Sequence, residues 1–289
     1  PLKISPSTGL KGITYKMPIA SAQVKSSILL AGLNAEGKTL VKEKYPTRDH
    51  TERMMKTFEA NISFSKGIVE IERSDLKTPG QIEVPGDFSS AAFFIGACLI
   101  SENSEIKIKN VGINKTRKAF LDCLLDMNAN IDLTNIRQLG NEEVADLVIK
   151  SSDLLPAKIM EDIVPNLIDE LPLFFLIASL IEGESEFNGL SELKHKESDR
   201  LSIMINNLQK LDVEVQLNED SLKIIGKKDR IFSDEVFDSH GDHRIAMTML
   251  VAGLRSSAGL TIRNVECINT SFPEFIDQAK TLGFSFKNG

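Results

Sequence analysis

Three polar segments combine basic and acidic side chains in a pattern that favours anion binding. They are TRDHTER (47–53), KHKESDR (194–200) and HGDHR (240–244). Each precedes an apolar stretch, so each is expected at the N-terminus of a helix. Basic residues are disfavoured there unless an anion is bound, because a helix N-terminus is the positive end of the helix dipole. Backbone N–H groups and Arg side chains at these positions would together bind phosphate or carboxylate groups.

Helix capping is the alternative explanation for these segments. Asp49 or Thr51, and Ser198 or Asp199, could be ordinary N-caps with solvated basic neighbours. The recurrence of the pattern in three repeat-related positions favours anion binding. A further segment, SAQVK (21–25), offers neutral donors at a helix start, although Ser is also a common cap.

Two carboxylates could exchange protons with a substrate. Asp169 precedes the apolar segment LPLFFL, and Glu197 lies between Lys196 and Ser198. Burial raises the pKa of a carboxyl group and basic neighbours lower it, so such a pair could supply a base and an acid. Capping by Asp169 and a surface ion pair of Glu197 with Lys194 or Arg200 remain open alternatives.

Several other chemistries lack their sequence signatures. His240 and His243 are three residues apart, but no third ligand has suitable spacing and Arg244 would repel a divalent cation, so we expect no metal. The sequence contains no Walker A motif, no GxGxxG after a strand, no GxSxG and no HExxH. Kinase, Rossmann dehydrogenase and serine hydrolase functions therefore lose their main support, and we expect no organic cofactor.

The composition narrows the class of protein further. The chain has 289 residues, 42% of them hydrophobic, with a formal net charge of −7. This composition excludes intrinsic disorder and argues against a nucleic-acid or anionic-membrane binder. Three dispersed cysteines without a CxxC pair predict neither disulfides nor a zinc cluster, which fits a cytoplasmic protein. The segment LPLFFLIASLI (171–181) is too short to span a bilayer and is predicted to be a buried helix.

The loops recur because the chain is built of repeats. Four segments share the order helix, turn and strand, and are aligned at Ser21, Ser89, Leu171 and His243. Each is followed by a second helix and more strand, so each unit is predicted to be β-α-β-α-β-β. In the third unit an apolar stripe on the second helix is expected to be core, and it consists of Leu201, Met204, Ile205, Leu208 and Leu211.

A Pro/Gly turn at 77–80 predicts a domain boundary near 78–84. Residues 1–80 would be the last repeat of a first domain, and residues 81–289 a second domain of three repeats. If both domains contain three repeats, two further repeats precede Pro1. We therefore expect a longer protein, of which the 289-residue chain alone is inactive or only binds a sugar phosphate.

Six motifs in this order resemble those of the 5-enolpyruvylshikimate-3-phosphate synthase family, in its bacterial class with SAQ and RDHTE motifs. They are ASAQVKSSILLAGL, TRDHTERM, VPGDFSSAAFF, KHKESDRL, GDHRIAM and TSFPEF. The resemblance runs from Ser21 to Phe275, and KESDRL with GDHRIAM is highly specific. The related UDP-N-acetylglucosamine enolpyruvyl transferases share the fold but lack this motif pair, and their catalytic Cys loop is not found here.

The resemblance implies an α/β fold of two domains, each an inside-out α/β barrel of three βαβαββ units, with helix N-termini directed at the interdomain cleft. It implies transfer of the enolpyruvyl group of phosphoenolpyruvate to the 5-hydroxyl of shikimate 3-phosphate, a step of chorismate and aromatic amino acid biosynthesis that glyphosate targets. It also implies small-molecule substrates, no cofactor, no nucleic-acid or membrane partner, and a cytoplasmic monomer.

By resemblance, one set of residues binds the acceptor substrate. Ser21, Ala22 and Gln23 would bind shikimate 3-phosphate, and Arg48 would help to hold its phosphate. Asp169 would bind the substrate's hydroxyls and accept the proton of the attacking 5-hydroxyl.

A second set of residues would act on the enolpyruvyl donor. Glu197 would deliver or remove the methylene proton of the enolpyruvyl group, whereas the adjacent Lys196 would contact the sugar-like ring of the acceptor, as Asp169 does. Arg200 and Arg244 would clamp the carboxylate of phosphoenolpyruvate, with His243 beside them.

Overall fold

The structure is a computed structural model that describes Lys3, Ser5 and residues 9–287. It divides into two compact units. Unit 1 comprises residues 1–85, 113–117 and 137–144, and unit 2 comprises 86–112, 118–136 and 145–289.

The first part of unit 1 forms a single β-α-β-α-β-β sequence of elements. These are β1 (Thr14–Lys16), α1 (Ala22–Gly32), β2 (Thr39–Lys42), α2 (His50–Thr57), β3 (Ile62–Ser65) and β4 (Ile68–Ile71). The sheet has the order β1-β2-β4-β3, in which β1 and β2 are parallel and the other neighbours are antiparallel. Its hydrophobic core consists of Met17, Leu29, Leu33, Val41, Met55, Val69 and Ile71.

The remaining elements continue the alternation of helix and strand. The first of them are α3 (Phe88–Ile100), β5 (Glu105–Gly112), α4 (Ala119–Asp126), β6 (Asn130–Leu139), β7 (Glu142–Lys150) and β8 (Lys158–Ile159). They are followed by α5 (Leu171–Ser179), β9 (Gly183–Phe187), α6 (Arg200–Lys210), β10 (Glu214–Asn218), β11 (Ser221–Gly226), β12 (Val236–Asp238), α7 (His243–Ala252), β13 (Thr261–Arg263) and α8 (Phe275–Thr281). Short 3-10 helices lie at Val164–Asn166, Ser191–His195, Gly253–Arg255 and Val265–Thr270.

The sheet topology repeats between the units. The sheet β8-β9-β11-β10 has the same arrangement as β1-β2-β4-β3, namely a parallel pair followed by an antiparallel hairpin. In the sheet β5-β7-β6, a parallel bridge between Gly86 and Val111 stands where the first strand would be. Strands β12 and β13 again form a parallel pair across a helix. The predicted βαβαββ order is therefore confirmed in the first and third repeats and, with the bridge as its first strand, in the second. The fourth repeat departs from the prediction, because no strand follows α8 among the described residues.

The first helix of each repeat in unit 2 is buried. All residues of α5 are buried, as are all but one of α3 and most of α7. A helix that is apolar on every side cannot face water and must lie in the core, so the prediction of a buried helix at 171–181 is confirmed. Gly96 permits close helix packing, since a Cβ there would lie 3.0 Å from Cδ1 of Leu173 on α5.

The second helices are amphipathic. On α6 the apolar stripe is confirmed as core: Leu201, Met204 and Leu208 are fully buried, with Leu211 immediately after the helix. Ile205, at the edge of the stripe, is half-buried. Within the part of the chain that the structure describes, no helix is long and apolar enough to cross a membrane.

Candidate active site

The three charged segments begin helices, as the sequence predicts. Asp49, Asp199 and Asp242 are the N-cap residues of α2, α6 and α7. The side chain of Asp199 accepts a bond of 3.1 Å from the backbone N–H of Ser202, and that of Asp242 accepts one of 2.9 Å from Arg244. Acidic N-cap residues and basic residues thus lie at the same helix starts, so capping does not exclude anion binding there.

Arg200 is the centre of the charged cluster in unit 2. Its side chain is only 1% exposed, yet it contacts three carboxylates. Its Nε donates to Asp242 Oδ2 at 2.8 Å, its Nη2 to Glu197 Oε2 at 2.6 Å and its Nη1 to Asp169 Oδ1 at 3.3 Å. The planar guanidinium group has donors in fixed directions, and the fold uses them to hold these carboxylates at one point.

Asp242 fixes the orientation of Arg200. It is completely buried and also accepts a hydrogen bond of 3.0 Å from the hydroxyl of Ser198. Burial opposes its ionisation, but the hydrogen bonds and charge of Arg200, the backbone N–H of Arg244 and the hydroxyl of Ser198 together outweigh burial and hold the pKa of Asp242 below its usual value. Asp242 is therefore an anionic partner of Arg200 near neutral pH.

Asp169 lies where three basic side chains converge. Besides Arg200, Lys196 Nζ is 4.0 Å from Asp169 Oδ1 and Arg244 Nη2 is 4.0 Å from Asp169 Oδ2. Its side chain is 13% exposed and lies just before α5, whose N-cap is Glu170. The N-cap of α5 is thus Glu170 and not Asp169, which had been the alternative for Asp169, and Asp169 faces the basic groups.

Glu170 is a buried partner of Arg244. Its Oε1 accepts from Arg244 Nη1 at 3.4 Å and from the hydroxyl of Ser89, a buried residue at the start of α3. Arg244 Nη1 also donates to the backbone oxygen of Asp169 at 3.3 Å, while its buried Nε has no hydrogen-bond partner among the described residues. Arg244 therefore keeps donor capacity for a ligand.

Glu197 and His243 complete this cluster. The side chain of Glu197 is 56% exposed, and its ion pair with Arg200, one of the alternatives that the sequence left open, joins an exposed carboxylate to a buried guanidinium. His243 is the first residue of α7. Burial lowers its pKa, and the positive charge of the adjacent Arg244 lowers it further. The imidazole is accordingly neutral near pH 7.

The remaining predicted site residues lie in unit 1, again at helix starts. Ser21 caps α1, accepting a bond of 3.3 Å from the N–H of Val24, and Ala22 and Gln23 form the first turn. Arg48 is half-buried and directly precedes Asp49, the N-cap of α2.

A model of the EPSP synthase (3-phosphoshikimate 1-carboxyvinyltransferase) family matches residues 1–279 of this chain. The chain belongs to the EPSP synthase family. A 3-phosphoshikimate 1-carboxyvinyltransferase of Geotalea uraniireducens (strain Rf4) is 46% identical over 268 residues, which are 93% of this chain and 62% of that relative. The one of Hydrogenovibrio crunogenus (strain DSM 25203 / XCL-2) is 45% identical over 290 residues, 99% of this chain and 65% of the relative.

Solved structures agree with this membership. An EPSP synthase from Acinetobacter baumannii superposes with a TM-score of 0.87 at 42% identity, over 96% of this chain and 64% of that one. The enolpyruvyl transferase NikO from Streptomyces tendae has a TM-score of 0.75 at 16% identity, over 96% of this chain and 65% of that one, and so shares the fold. The α/β enolpyruvyl transferase fold expected from the sequence is confirmed. The chain spans less than two thirds of the length of these relatives.

The structure brings together five of the site residues that were predicted from the sequence. It also shows buried residues around them that sequence reasoning missed. Asp169, Lys196, Glu197, Arg200 and Arg244 form one cluster through the contacts above. Sequence reasoning gave no role to the buried residues that hold the cluster, namely Asp242, Glu170 and Ser89. For Asp242 the sequence offered one signal, an acidic residue directly before a helix whose first turn carries Arg.

Proposed function

We propose that the protein containing this chain transfers the enolpyruvyl group of phosphoenolpyruvate to the 5-hydroxyl of shikimate 3-phosphate, with release of phosphate. Family membership supports this proposal, since relatives bear the name of that activity. The observation that carries it is the contact of Arg200 with both Asp169 and Glu197. Two carboxylates able to exchange protons lie on one guanidinium, with two more basic side chains adjacent.

The reaction needs proton transfers at both carboxylates and two changes of bonding at C2. Glu197 delivers a proton to the C3 methylene of phosphoenolpyruvate, and the 5-hydroxyl oxygen attacks C2 while Asp169 accepts its proton. The resulting tetrahedral intermediate carries a methyl group. Loss of a methyl proton to Glu197 and cleavage of the C2–O bond to phosphate then restore the methylene. The leaving phosphate takes up the proton that Asp169 accepted, so both carboxylates return to their starting states and atoms and charge balance.

Arg200 and Arg244 bind the carboxylate of phosphoenolpyruvate. Asp242 accepts from Nε of Arg200 at 2.8 Å and from Nη2 at 3.4 Å, while Nη2 also donates to Glu197 and Nη1 to Asp169. An entering carboxylate takes the place of the exposed Glu197 on Nη2, which frees Glu197 to exchange its proton. Preorganised cations at the position where charge develops supply the main electrostatic stabilisation, and Lys196 and His243 contact the bound substrates.

In unit 1, Ser21, Ala22, Gln23 and Arg48 bind shikimate 3-phosphate. A helix N-terminus with a hydroxyl, an amide and a guanidinium is chemically suited to a phosphate and sugar-like hydroxyls. We assign residues 1–80 to the last repeat of a first domain and 81–289 to a second domain of three repeats. We also expect a cytoplasmic monomer that needs no cofactor.

A comparison of acceptor substrates tests the function. The complete natural protein is incubated with phosphoenolpyruvate and either shikimate 3-phosphate or UDP-N-acetylglucosamine, and released phosphate is measured. We expect release only with shikimate 3-phosphate. Release with the sugar nucleotide would assign the protein to the alternative transferase, and release with neither would mean that the protein binds sugar phosphate at most.

A further inference from the structure

Lys25 is a charged residue in the interior of unit 1. It lies on α1 with 1% of its side chain exposed, and its Nζ is 2.7 Å from Glu52 Oε1 and 3.1 Å from Glu43 Oε1. The same Nζ donates to the backbone oxygen of Thr47 at 3.3 Å. Lysine is almost never fully buried unless it is paired. The Lys25 cluster (Lys25, Glu43, Thr47 and Glu52) thus joins α1, the end of β2, the loop after it and α2.

This one residue is linked to both parts of the proposed phosphate site. Its backbone N–H donates to the oxygen of Ser21 at 3.0 Å, at the turn that carries Ala22 and Gln23. Its side chain holds Thr47, which directly precedes Arg48. Thr47 is fixed further, because its N–H and its hydroxyl both donate to Glu43 Oε1.

The chain is also anchored on the other side of Arg48. The carboxylate of Asp49 accepts from Arg53 Nε at 2.8 Å and from Asn114 Nδ2 at 2.6 Å. A second link between the two helix starts is the contact of 2.6 Å between the hydroxyls of Ser26 and Thr51. The backbone at Arg48 therefore has little freedom relative to the first turn of α1.

The Lys25 cluster is not explained by a contribution to stability. Glu52 Oε2 is buried without a hydrogen-bond partner among the described residues. Burial raises the pKa of Glu52, and the attraction of Lys25 only partly offsets this effect. Buried ion pairs can often be replaced by apolar groups without loss of stability. A role in placing backbone atoms accounts for the cluster better than a role in stability.

We propose that Lys25 is a positioning residue for phosphate recognition, which sets the distance between the Ser21–Gln23 turn and Arg48. The inference rests on the proposed function, in which these residues bind shikimate 3-phosphate. Because Lys25 is buried, it acts through Ser21 and Thr47 and not by contact with the substrate.

The test is a charge-balanced double variant, Lys25→Met/Glu52→Gln, in the complete natural protein. It removes one buried cation and one buried carboxylate together, and Glu43 keeps its bonds from Thr47. Lys38→Met/Glu70→Gln is the matched control, since that pair is 2.7 Å apart but exposed. Dissociation constants are measured for shikimate 3-phosphate and for shikimate, which lacks the phosphate, and Michaelis constants for both reaction substrates.

We expect the Lys25 double variant to bind shikimate 3-phosphate at least about tenfold more weakly and shikimate less than about threefold more weakly. The Michaelis constant for phosphoenolpyruvate and all values of the control should stay near the parent's. A folded variant with parental affinity for shikimate 3-phosphate would overturn the inference. Equal losses for both ligands would also overturn it, since they would indicate general distortion.

Thr47→Val covers the case in which the double variant does not fold. It leaves Lys25 paired and removes only the hydroxyl that donates to Glu43. We expect a loss of about threefold or more for shikimate 3-phosphate and none for shikimate; no loss for either ligand would contradict the inference. If the unaltered protein fails to bind shikimate 3-phosphate, the proposed function itself is wrong and the inference falls with it.

Discussion

Glu197 is the more exposed of the two carboxylates to which we assign proton transfer, and it contacts Arg200 at 2.6 Å. We expect Glu197→Gln to lower kcat by about 10²- to 10⁴-fold with little change in shikimate 3-phosphate binding, because the amide cannot deliver or remove a proton. The control is Glu214→Gln on the exposed strand β10. Steady-state kinetics with a near-parental kcat for Glu197→Gln would remove its role.

Arg244 contacts Glu170 and the backbone of Asp169 through a single nitrogen, Nη1. In Arg244→Lys one ammonium group replaces a planar fork, so bidentate binding of a carboxylate is lost. We expect the Michaelis constant for phosphoenolpyruvate to rise by about tenfold or more, equivalent to about 1.4 kcal/mol. Arg263→Lys on β13 is the control. An unchanged Michaelis constant in Arg244→Lys would exclude Arg244 from the clamp.

Asp242 gives unit 2 a specific dependence on pH. Its pKa lies below the ordinary value of 3.8 in the folded protein, so its contribution to stability is present above about pH 4 and is lost as the pH falls through the lowered pKa. Asp242→Asn leaves Arg200 partly unpaired and should cost about 3–5 kcal/mol at pH 7.

The measurement for Asp242 is urea unfolding at pH 7 and at about pH 3. The difference between parent and Asp242→Asn should be smaller at the lower pH, because Asp242 of the unfolded parent is then protonated, which favours unfolding of the parent. Asp220→Asn, at an exposed position, should change the free energy of unfolding by less than about 0.5 kcal/mol. Equal differences at both pH values would show that the charge of Asp242 does not matter.

Among the elements, strand β11 lies unusually close to the end of helix α5. A Cβ at Gly226 would lie 2.1 Å from the backbone oxygen of Ile181 and 2.2 Å from that of Ala178. Gly226→Ala must therefore push the strand away from the helix, and we expect a loss of about 1–3 kcal/mol or more in the free energy of unfolding.

Gly253 is the matched control for Gly226. It has helical backbone angles, φ −55° and ψ −24°, and a Cβ there would meet no atom of the described chain within 4 Å. Gly253→Ala should gain about 0.4–1 kcal/mol by restricting the unfolded chain. Denaturant unfolding of both variants checks the pair, and a neutral Gly226→Ala would mean that the close approach is not rigid.

Periodicity and composition predict these elements well and their long-range contacts poorly. The apolar run LPLFFL predicts a buried helix because an element without a polar face has no place at the surface, and α5 is buried throughout. Nothing in the sequence around Lys25, by contrast, distinguishes it from an ordinary surface lysine. Its partners Glu43 and Glu52 are 18 and 27 residues away, and no periodic signal in one sequence connects them. Asp242 and Arg200 are likewise 42 residues apart.

At the scale of the whole molecule, each unit contains charged groups that are held by buried partners. In unit 2, Asp242 and Glu170 hold Arg200 and Arg244, and in unit 1 the Lys25 cluster holds the loop before Arg48. Such supporting contacts are what keeps binding groups in a productive geometry. We therefore assign proton transfer and binding of the phosphoenolpyruvate carboxylate to unit 2, and recognition of the sugar phosphate to unit 1.

In the proposed reaction, C3 of phosphoenolpyruvate is protonated and later deprotonated during transfer to shikimate 3-phosphate. Running the reaction of the complete natural protein in D₂O, and measuring the product's mass and its methylene NMR signal, tests both steps. Because the intermediate carries a methyl group, we expect an enolpyruvyl product with deuterium in the methylene. Absence of the product, or a product whose methylene carries no deuterium, would contradict the proposed reaction.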